Sequence, residues 1–147
     1  NAYAGKEHAV RACENMYAVG DSVGMCRFTT KLFNSPSLPG LDEFAAQIKN
    51  VTGLDYTPEE LDRVGLNIMG MERLINERLG VRREHDTLPR RWFDEPVTVG
   101  SYAGEKIDRA EFDAMLSRFY ALSRLTPEGA PDDAFRAELH AIHGARP

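Results

Sequence analysis

The stretch TPEELDRVGLNIMGMERLINERLG, residues 57–80, carries the clearest structural signals in the sequence. Thr57 is a good N-cap, Pro58 suits the first helical position, and Glu60 completes a capping box. Apolar residues then recur at steps of three and four, which predicts a helix of about 22 residues, roughly 33 Å long. Gly80 supplies its C-terminal end. The predicted buried stripe consists of Leu61, Val64, Ile68, Met71 and Ile75.

Two glycines, Gly65 and Gly70, lie inside this helix. Glycine weakens an isolated helix, because it gains more conformational freedom on unfolding than other residues do. We therefore expect both positions to allow close packing against a neighbouring element.

The flanking sequence predicts further helices by the same signals. One covers about residues 4–19 and ends at Gly20, so the residues that follow it should form a turn. Another covers residues 41–51 and ends at Gly53, after a loop over residues 34–40. Both are short amphipathic segments. Their predicted buried residues are Val10, Cys13 and Tyr17 in the first, and Leu41, Phe44, Ala45, Ile48 and Val51 in the second.

Two more helices are predicted in the C-terminal third. Asp108 and Glu111 form a second capping box. A final short helix ends at Gly144, after the break TPEGAP at residues 126–131. The predicted buried residues are Phe112, Met115, Leu116, Phe119 and Leu122 in one helix, and Phe135, Leu139 and Ile142 in the other.

Residues 81–104 lack helical periodicity and contain Pro89 and Pro96. We predict an extended, ordered loop pinned by Trp92 and Phe93, which could include a short strand at residues 97–99. The sequence thus predicts an all-α fold of about five helices with one long loop, in a single domain over residues 1–147.

Composition narrows the function classes. The net charge of −5 argues against a nucleic-acid-binding protein. The basic pairs at residues 82–83 and 90–91 are more typical of a solvated face or a protein contact. No apolar run approaches the roughly 20 residues that cross a bilayer, and the first residues resemble no signal peptide. With only two cysteines, the expectation is a cytoplasmic protein with reduced thiols and no membrane contact.

Several polar residues could carry chemistry, but their patterns favour structural roles. His140 and His143 stand three apart without an accompanying acid or thiol pattern, which is typical of surface histidines. His85 beside Asp86 could be an acid–base pair, although charged loops more often hold solvated histidines. Cys13 lies on an apolar helix face, where cysteine behaves as a small hydrophobic residue.

The segment Asp21-Ser-Val-Gly-Met-Cys26 differs from these candidates. A thiolate in a turn suits metal ligation, because the turn can direct the sulfur outward. An iron–sulfur cubane needs four thiolates, however, and this chain could supply at most two. Taken alone, the segment is better interpreted as a C-cap glycine turn with an incidental cysteine.

Four stretches in order along the chain resemble the aldehyde ferredoxin oxidoreductase family, the tungsten–pterin enzymes. Asp21-x-x-Gly24-Met-Cys26 resembles its DxxGLC turn, and GLDYTPEEL with the helix that follows resembles a second family motif. REHDTLPRRWFDEP, residues 83–96, resembles a third. IDRAEFDAMLSRFYALSRLTPEGAP, residues 107–131, resembles the family's C-terminal ending. The resemblance runs from about residue 10 to the C-terminus.

The resemblance implies a role for three residues. Asp21 would hydrogen-bond the pterin of a tungsten bis-pterin cofactor, with Gly24 shaping the same turn, and Cys26 would be the fourth ligand of a [4Fe–4S] cluster. Family enzymes oxidise aldehydes to carboxylic acids and pass the electrons to ferredoxin. The other three cluster ligands come from a CxxCxxxC run in an N-terminal domain, which this sequence does not contain.

The sequence is therefore interpreted as a C-terminal fragment of a longer multidomain oxidoreductase. Its expected partners are the N-terminal and middle domains of the same enzyme, ferredoxin and an aldehyde substrate. Alone it is expected to hold no tungsten and no cluster and to be inactive. Departures from the family motifs, such as Asn67 and His85, leave the subfamily and substrate open. The alternatives are a tungsten subunit of a related reductase such as benzoyl-CoA reductase, and a non-catalytic helical interaction module.

Overall fold

A computed structural model describes residues 3–30 and 37–144 of the chain. Over these residues the fold is all-α, as predicted, and contains no β-strand beyond an isolated bridge between Leu125 and Pro131. Part of the loop predicted over residues 34–40 lies outside the described residues. The helices are α1 (Lys6–Ser22), α2 (Leu41–Thr52), α3 (Pro58–Arg78), α4 (Arg91–Asp94), α5 (Arg109–Leu122) and α6 (Asp133–Gly144).

Helix α3 begins and ends where the sequence signals place it. The Thr57 hydroxyl accepts a hydrogen bond from the Glu60 backbone nitrogen at 3.2 Å. The Glu60 carboxylate accepts one from the Thr57 backbone nitrogen at 2.9 Å. Both donors would otherwise lack a partner within the helix. At the other end, Gly80 directly follows the C-cap, Leu79. The capping box and the closing glycine are therefore confirmed.

The two glycines of α3 mark the places where other helices come closest. A Cβ atom added at Gly65 would lie 2.4 Å from the carbonyl oxygen of Asn15, on α1. One added at Gly70 would lie 2.6 Å from the ring of Phe135, on α6. Neither position has room for a larger side chain, so the expected close packing is confirmed.

The predicted buried stripe of α3 is only partly correct. Leu61 is buried, but Val64 and Ile75 are exposed by 36% and 55%. The face that contacts other helices is instead centred on the glycines, because they permit the shortest distance between helix axes. Its buried members are Leu61, Gly65, Leu66, Gly70 and Leu74.

Helix α3 is the central element, since α1, α2 and α6 all pack against it, and α5 packs on α1. One buried cluster joins α1, α2 and α3 and contains Met16, Val19, Phe44, Ala45 and Leu61. A second joins α3 and α6 and contains Leu66, Leu74, Phe135 and Leu139.

The long loop before α5 is more structured than predicted. It contains the one-turn helix α4, which brings the described α-helices to six. No strand forms at residues 97–99. Instead residues 97–105 fold back on themselves, and Val97 exchanges backbone hydrogen bonds with Gly104 and Glu105, each 2.8 Å long. Glycine at positions 100 and 104 takes a positive φ, which bends the backbone too sharply for a strand to continue.

The second capping box is half formed. The Asp108 carboxylate accepts a hydrogen bond from the Glu111 backbone nitrogen at 2.9 Å. The Asp108 backbone nitrogen, however, donates to the hydroxyl of Tyr3 at 2.9 Å. A tertiary contact from the other end of the chain thus takes the place of the local Glu111 side chain.

Among the described helices, none has an apolar stretch of the length that a bilayer span requires.

Candidate functional site

The Asp21–Cys26 segment forms the C-terminal end of α1. Gly24 has φ +76°, the left-handed conformation that ends many helices and that favours glycine. The Met25 backbone nitrogen donates to the Gly20 carbonyl at 2.8 Å, and the Gly24 nitrogen donates to the Asp21 carbonyl at 3.3 Å. These two bonds define a Schellman motif. The motif therefore fixes the backbone of residues 20–25, which includes Asp21, and Cys26 follows it directly.

The helix end lies later than the sequence indicated. Gly20 was expected to end α1, but the helix continues to Ser22. Gly20 keeps helical backbone and lies against α2, where an added Cβ would be 3.5 Å from the Phe44 ring. Asp21 consequently lies in the last helical turn rather than in the turn that follows it. The glycine that ends the helix is Gly24.

The Asp21 carboxylate is bound by a guanidinium from its own segment. Arg27 donates from Nε to Oδ1 at 3.2 Å and from a second nitrogen to Oδ2. The guanidinium carbon also lies 4.9 Å from the centre of the Tyr17 ring, on the preceding turn of α1. The hydrogen bond from Arg27 holds the pKa of Asp21 below its ordinary value, and the arginine charge acts in the same direction. Asp21 is therefore an ionised, surface-accessible acceptor.

Cys26 is exposed and lies at the start of a short 3₁₀ turn, Arg27–Thr29. Its carbonyl accepts from the Thr29 backbone nitrogen at 3.0 Å and from the Thr29 hydroxyl at 2.7 Å. These bonds hold the cysteine backbone and leave the sulfur accessible. The described residues contain no group of three or more histidine, cysteine and carboxylate side chains that could hold a metal ion. Within the described part of the chain, Cys26 therefore belongs to no such group of metal ligands.

The surface beside this turn is apolar. Val23, directly before Gly24, is 43% exposed. A groove of about 280 Å³ runs between Val23 and one side of α2, where Ile48 and Val51 form its wall. The helix end that carries Asp21 thus borders an exposed apolar groove.

The other candidate residues do not form a site. His85 accepts a hydrogen bond on Nδ1 from the Arg82 backbone nitrogen at 3.0 Å, so it stabilises a local turn. Asp86 bonds Arg73 and Tyr120 rather than His85. His140 is exposed on α6, and the side chain of His143 lies outside the described residues. Cys13 is half-buried.

Sequence reasoning missed a polar network between α3, the long loop and α5. Asp86 Oδ2 accepts from Arg73 at 2.5 Å and from the Tyr120 hydroxyl at 2.6 Å. Tyr120 is 2% exposed, and burial together with the Asp86 contact raises the pKa of its hydroxyl. Each of the three residues comes from a different one of the stretches that carry the family resemblance. The network thus joins three stretches that are distant in sequence, and no local spacing pattern reveals it.

A second unpredicted feature is a cavity between α1 and the polar network, since Arg73 and Asp86 also line it. Glu14 lines a mostly apolar cavity of about 370 Å³ together with Val10, His85 and Phe112. Burial raises the pKa of Glu14 above its ordinary value. Nearer the start of α1, Glu7 is 5% exposed and accepts from Arg118 Nε at 2.9 Å, which ties α1 to α5.

Comparison with known proteins found a matching family model, sequence relatives and a similar solved structure. The family model described as aldehyde ferredoxin oxidoreductase, domains 2 & 3, matches residues 1–140. The tungsten-containing aldehyde ferredoxin oxidoreductase of Pyrococcus furiosus is 33% identical over 117 residues, which are 79% of this chain and 18% of that protein. The aliphatic sulfonate oxidoreductase, WOR-like subunit, of the same organism is 27% identical over 86% of this chain and 20% of its own length.

A solved structure shares the fold. The active-site complex BamBC of benzoyl coenzyme A reductase, in complex with 1,5-dienoyl-CoA, superposes with a TM-score of 0.74 at 18% identity. The match covers 93% of this chain and 19% of that one. The chain thus spans about a fifth of the length of each of these three proteins.

Proposed function

The chain belongs to the aldehyde ferredoxin oxidoreductase family, and on that premise we propose that it supplies one edge of a tungsten–pterin and iron–sulfur site. The site would be completed by the N-terminal and middle domains of the same enzyme. The whole enzyme would oxidise aldehydes to carboxylic acids, with ferredoxin as electron acceptor. When bound, the tungsten–pterin group and the cluster supply the redox chemistry that carries the two electrons.

The observation that carries this proposal is the placement of Asp21 in the motif that ends α1, with Cys26 directly after that motif. Asp21 lies in the Schellman motif at Gly24, Cys26 lies at the start of the 3₁₀ turn that follows it, and both residues are exposed. An interaction module would gain nothing from an exposed thiol five positions after an ionised carboxylate, since a helical surface binds partners mainly through buried apolar and aromatic contacts.

Asp21 fits the chemistry of a pterin contact. The aminopyrimidine edge of a pterin presents two adjacent, parallel N–H donors in one plane. The Asp21 carboxylate already accepts two such donors from the planar guanidinium of Arg27, one on each oxygen. A carboxylate in that orientation can bind a planar two-donor edge, and charge assistance strengthens such a contact.

Cys26 fits a role as one thiolate of four. A [4Fe–4S] cluster is usually held by four cysteine thiolates. Cys26 is exposed, and the only other cysteine in the sequence is the half-buried Cys13. Cys26 therefore needs three thiolates from another part of the enzyme, and we expect the isolated chain to hold neither iron nor tungsten.

The ligand assignment is tested in the intact enzyme by comparing Cys26→Ser with Cys13→Ser. Cys13 is the matched control, because it is half-buried on α1 and has no role in the proposed site. Cys26→Ser should lower the iron content per chain or shift the cluster potential, whereas Cys13→Ser should leave both unchanged. Unaltered iron and potential in Cys26→Ser would refute the assignment.

The upstream reading frame separates this proposal from an interaction module. The enzyme requires an upstream cofactor-binding domain with a CxxCxxxC run, because a single cysteine cannot hold a [4Fe–4S] cluster. If the frame lacks both, the enzyme proposal fails and the interaction module becomes the better description. Which aldehyde is oxidised depends on residues of the other domains as well.

A further inference from the structure

We infer that Arg27 competes with the pterin for Asp21, so that it acts as an exchangeable partner that holds the carboxylate until the pterin displaces it. The inference rests on the proposed role of Asp21. It adds a residue that neither the motif nor the comparisons assign, one that would set how firmly the pterin is retained.

The contact geometry is the first argument. Arg27 uses two guanidinium nitrogens, one for each carboxylate oxygen of Asp21. This arrangement occupies the edge of the carboxylate on which two parallel donors can bind together. The lone pairs that remain point away from each other, so a second planar ring cannot form a matching two-point contact. A pterin that binds Asp21 through two hydrogen bonds must therefore displace Arg27.

The exposure of Arg27 and Asp21 is the second argument, because breaking a solvent-exposed ion pair costs little free energy. The side chains of Arg27 and Asp21 are 57% and 50% exposed. Ion pairs with that much solvent contact add little stability. The Tyr17 ring keeps the guanidinium beside the carboxylate through a cation–π contact at 4.9 Å. Arg27 can thus leave Asp21 without a large penalty, and Tyr17 keeps it close enough to return.

The test is the rate at which pterin leaves the purified intact enzyme, followed as fluorescence of the oxidised pterin in solution. Removing the competitor in Arg27→Ala should slow release by about two- to fivefold, the size expected when an exposed ion pair is lost. The release rate of Arg27→Lys should lie between those of the wild type and Arg27→Ala. An ammonium group cannot bind both carboxylate oxygens at once as the planar guanidinium does.

Arg124 provides a matched control. It makes an equivalent two-point contact to Glu138, at 2.7 and 2.8 Å, and its guanidinium also lies over an aromatic ring, that of Phe135, at 4.6 Å. Arg124→Ala therefore removes the same kinds of contact, but from a carboxylate on α6 that has no role in the proposed site. It should leave pterin release at the wild-type rate.

The double variant Asp21→Ala/Arg27→Ala separates the two claims. Asp21→Ala alone should speed release, and adding Arg27→Ala should change nothing further, because the shared acceptor is gone. If Asp21→Ala releases pterin at the wild-type rate, the proposed function of Asp21 fails and the inference falls with it. If Asp21→Ala releases pterin faster than the wild type, but Arg27→Ala releases it at the wild-type rate or faster, only the competition by Arg27 is refuted.

Discussion

Replacing Gly65 by alanine tests whether the crossing of α1 and α3 determines the stability of the fold. The new Cβ would lie 2.4 Å from the Asn15 carbonyl oxygen and 2.7 Å from the Asn15 Cα, whereas ordinary contacts begin near 3.4 Å. Both atoms belong to helical backbone and cannot rotate away. The two helices must therefore move apart by about 1 Å at the crossing, which is the difference between those distances.

The magnitude follows from three contributions. Overpacking of a close contact costs about 1–3 kcal/mol. Separation of the helices also stretches the 2.9 Å hydrogen bond from Asn15 Nδ2 to the Asp62 carboxylate. Asn15 is only 1% exposed, so water cannot readily replace this bond. Loss of a hydrogen bond to a charged group costs up to about 1.5–3 kcal/mol, while the better helix propensity of alanine returns about 1 kcal/mol. The expected net loss in free energy of unfolding is about 2–4 kcal/mol.

Urea and thermal unfolding followed by far-ultraviolet circular dichroism measure this loss, which should lower Tm by roughly 5–15 °C in a chain of this size. Gly20→Ala is the matched control. It makes the same change in a buried helical position, but its Cβ would meet the nearest atom at 3.5 Å. That variant should be more stable than wild type by about 0.5–1 kcal/mol. Equal stability of the two variants would refute the reasoning.

Three further changes have defined outcomes. Thr57→Ala removes the N-cap of α3 and should lower the free energy of unfolding by about 1 kcal/mol in urea denaturation; an unchanged midpoint would contradict the role of the capping box. Tyr120→Phe keeps the ring but removes the bond to Asp86, and should lower stability by about 1.5–3 kcal/mol, whereas Tyr102→Phe, at an exposed tyrosine, should have no effect on the same curve. Glu14→Gln should stabilise the fold at pH 8, because burial raises the pKa of Glu14 and so disfavours its charged form in the folded state. The gain should shrink as the pH falls towards 4, where the glutamate becomes neutral, and a gain that is independent of pH would exclude this explanation.

Helix α3 shows what local sequence determines. Its start and end were predictable because the capping box and Gly80 act within a few residues of each helix end. The close approaches at Gly65 and Gly70 were predictable because glycine in mid-helix is unfavourable without such a reason. The buried face was not predictable, since apolar residues lie on more than one side of α3 and periodicity alone cannot rank them.

The candidate site shows the same division. Asp21, Gly24 and Cys26 were recognisable as a motif, and the turn at Gly24 follows from the conformation that glycine permits. The position of the helix end was wrong, because Gly20 is compatible with helix when a neighbour such as Phe44 packs against it. The contact of Arg27 with Asp21 was not foreseen, since it depends on how the chain bends after the helix.

Contacts between distant residues were the least accessible to sequence reasoning. Asp86 and Tyr120 lie 34 positions apart, and Tyr3 reaches Asp108 across 105 positions. No spacing rule connects such pairs, because the connection exists only after α1, α3 and α5 have packed together. The resemblance marked the stretches that contain Asp86 and Tyr120, and the structure supplies the physical reason for their pairing.

The backbone turn at Gly24 also bears on electron transfer under the proposed function. Asp21 lies inside the hydrogen-bonded motif that ends α1, and Cys26 follows that motif directly, so their separation depends on six consecutive residues rather than on the packing of two distant elements. A variant that loosens the domain, such as Gly65→Ala, should therefore reduce the number of molecules that carry a complete site. In the molecules that remain loaded, the local backbone that carries Asp21 and Cys26 should be unchanged, and each molecule should turn over at the normal rate.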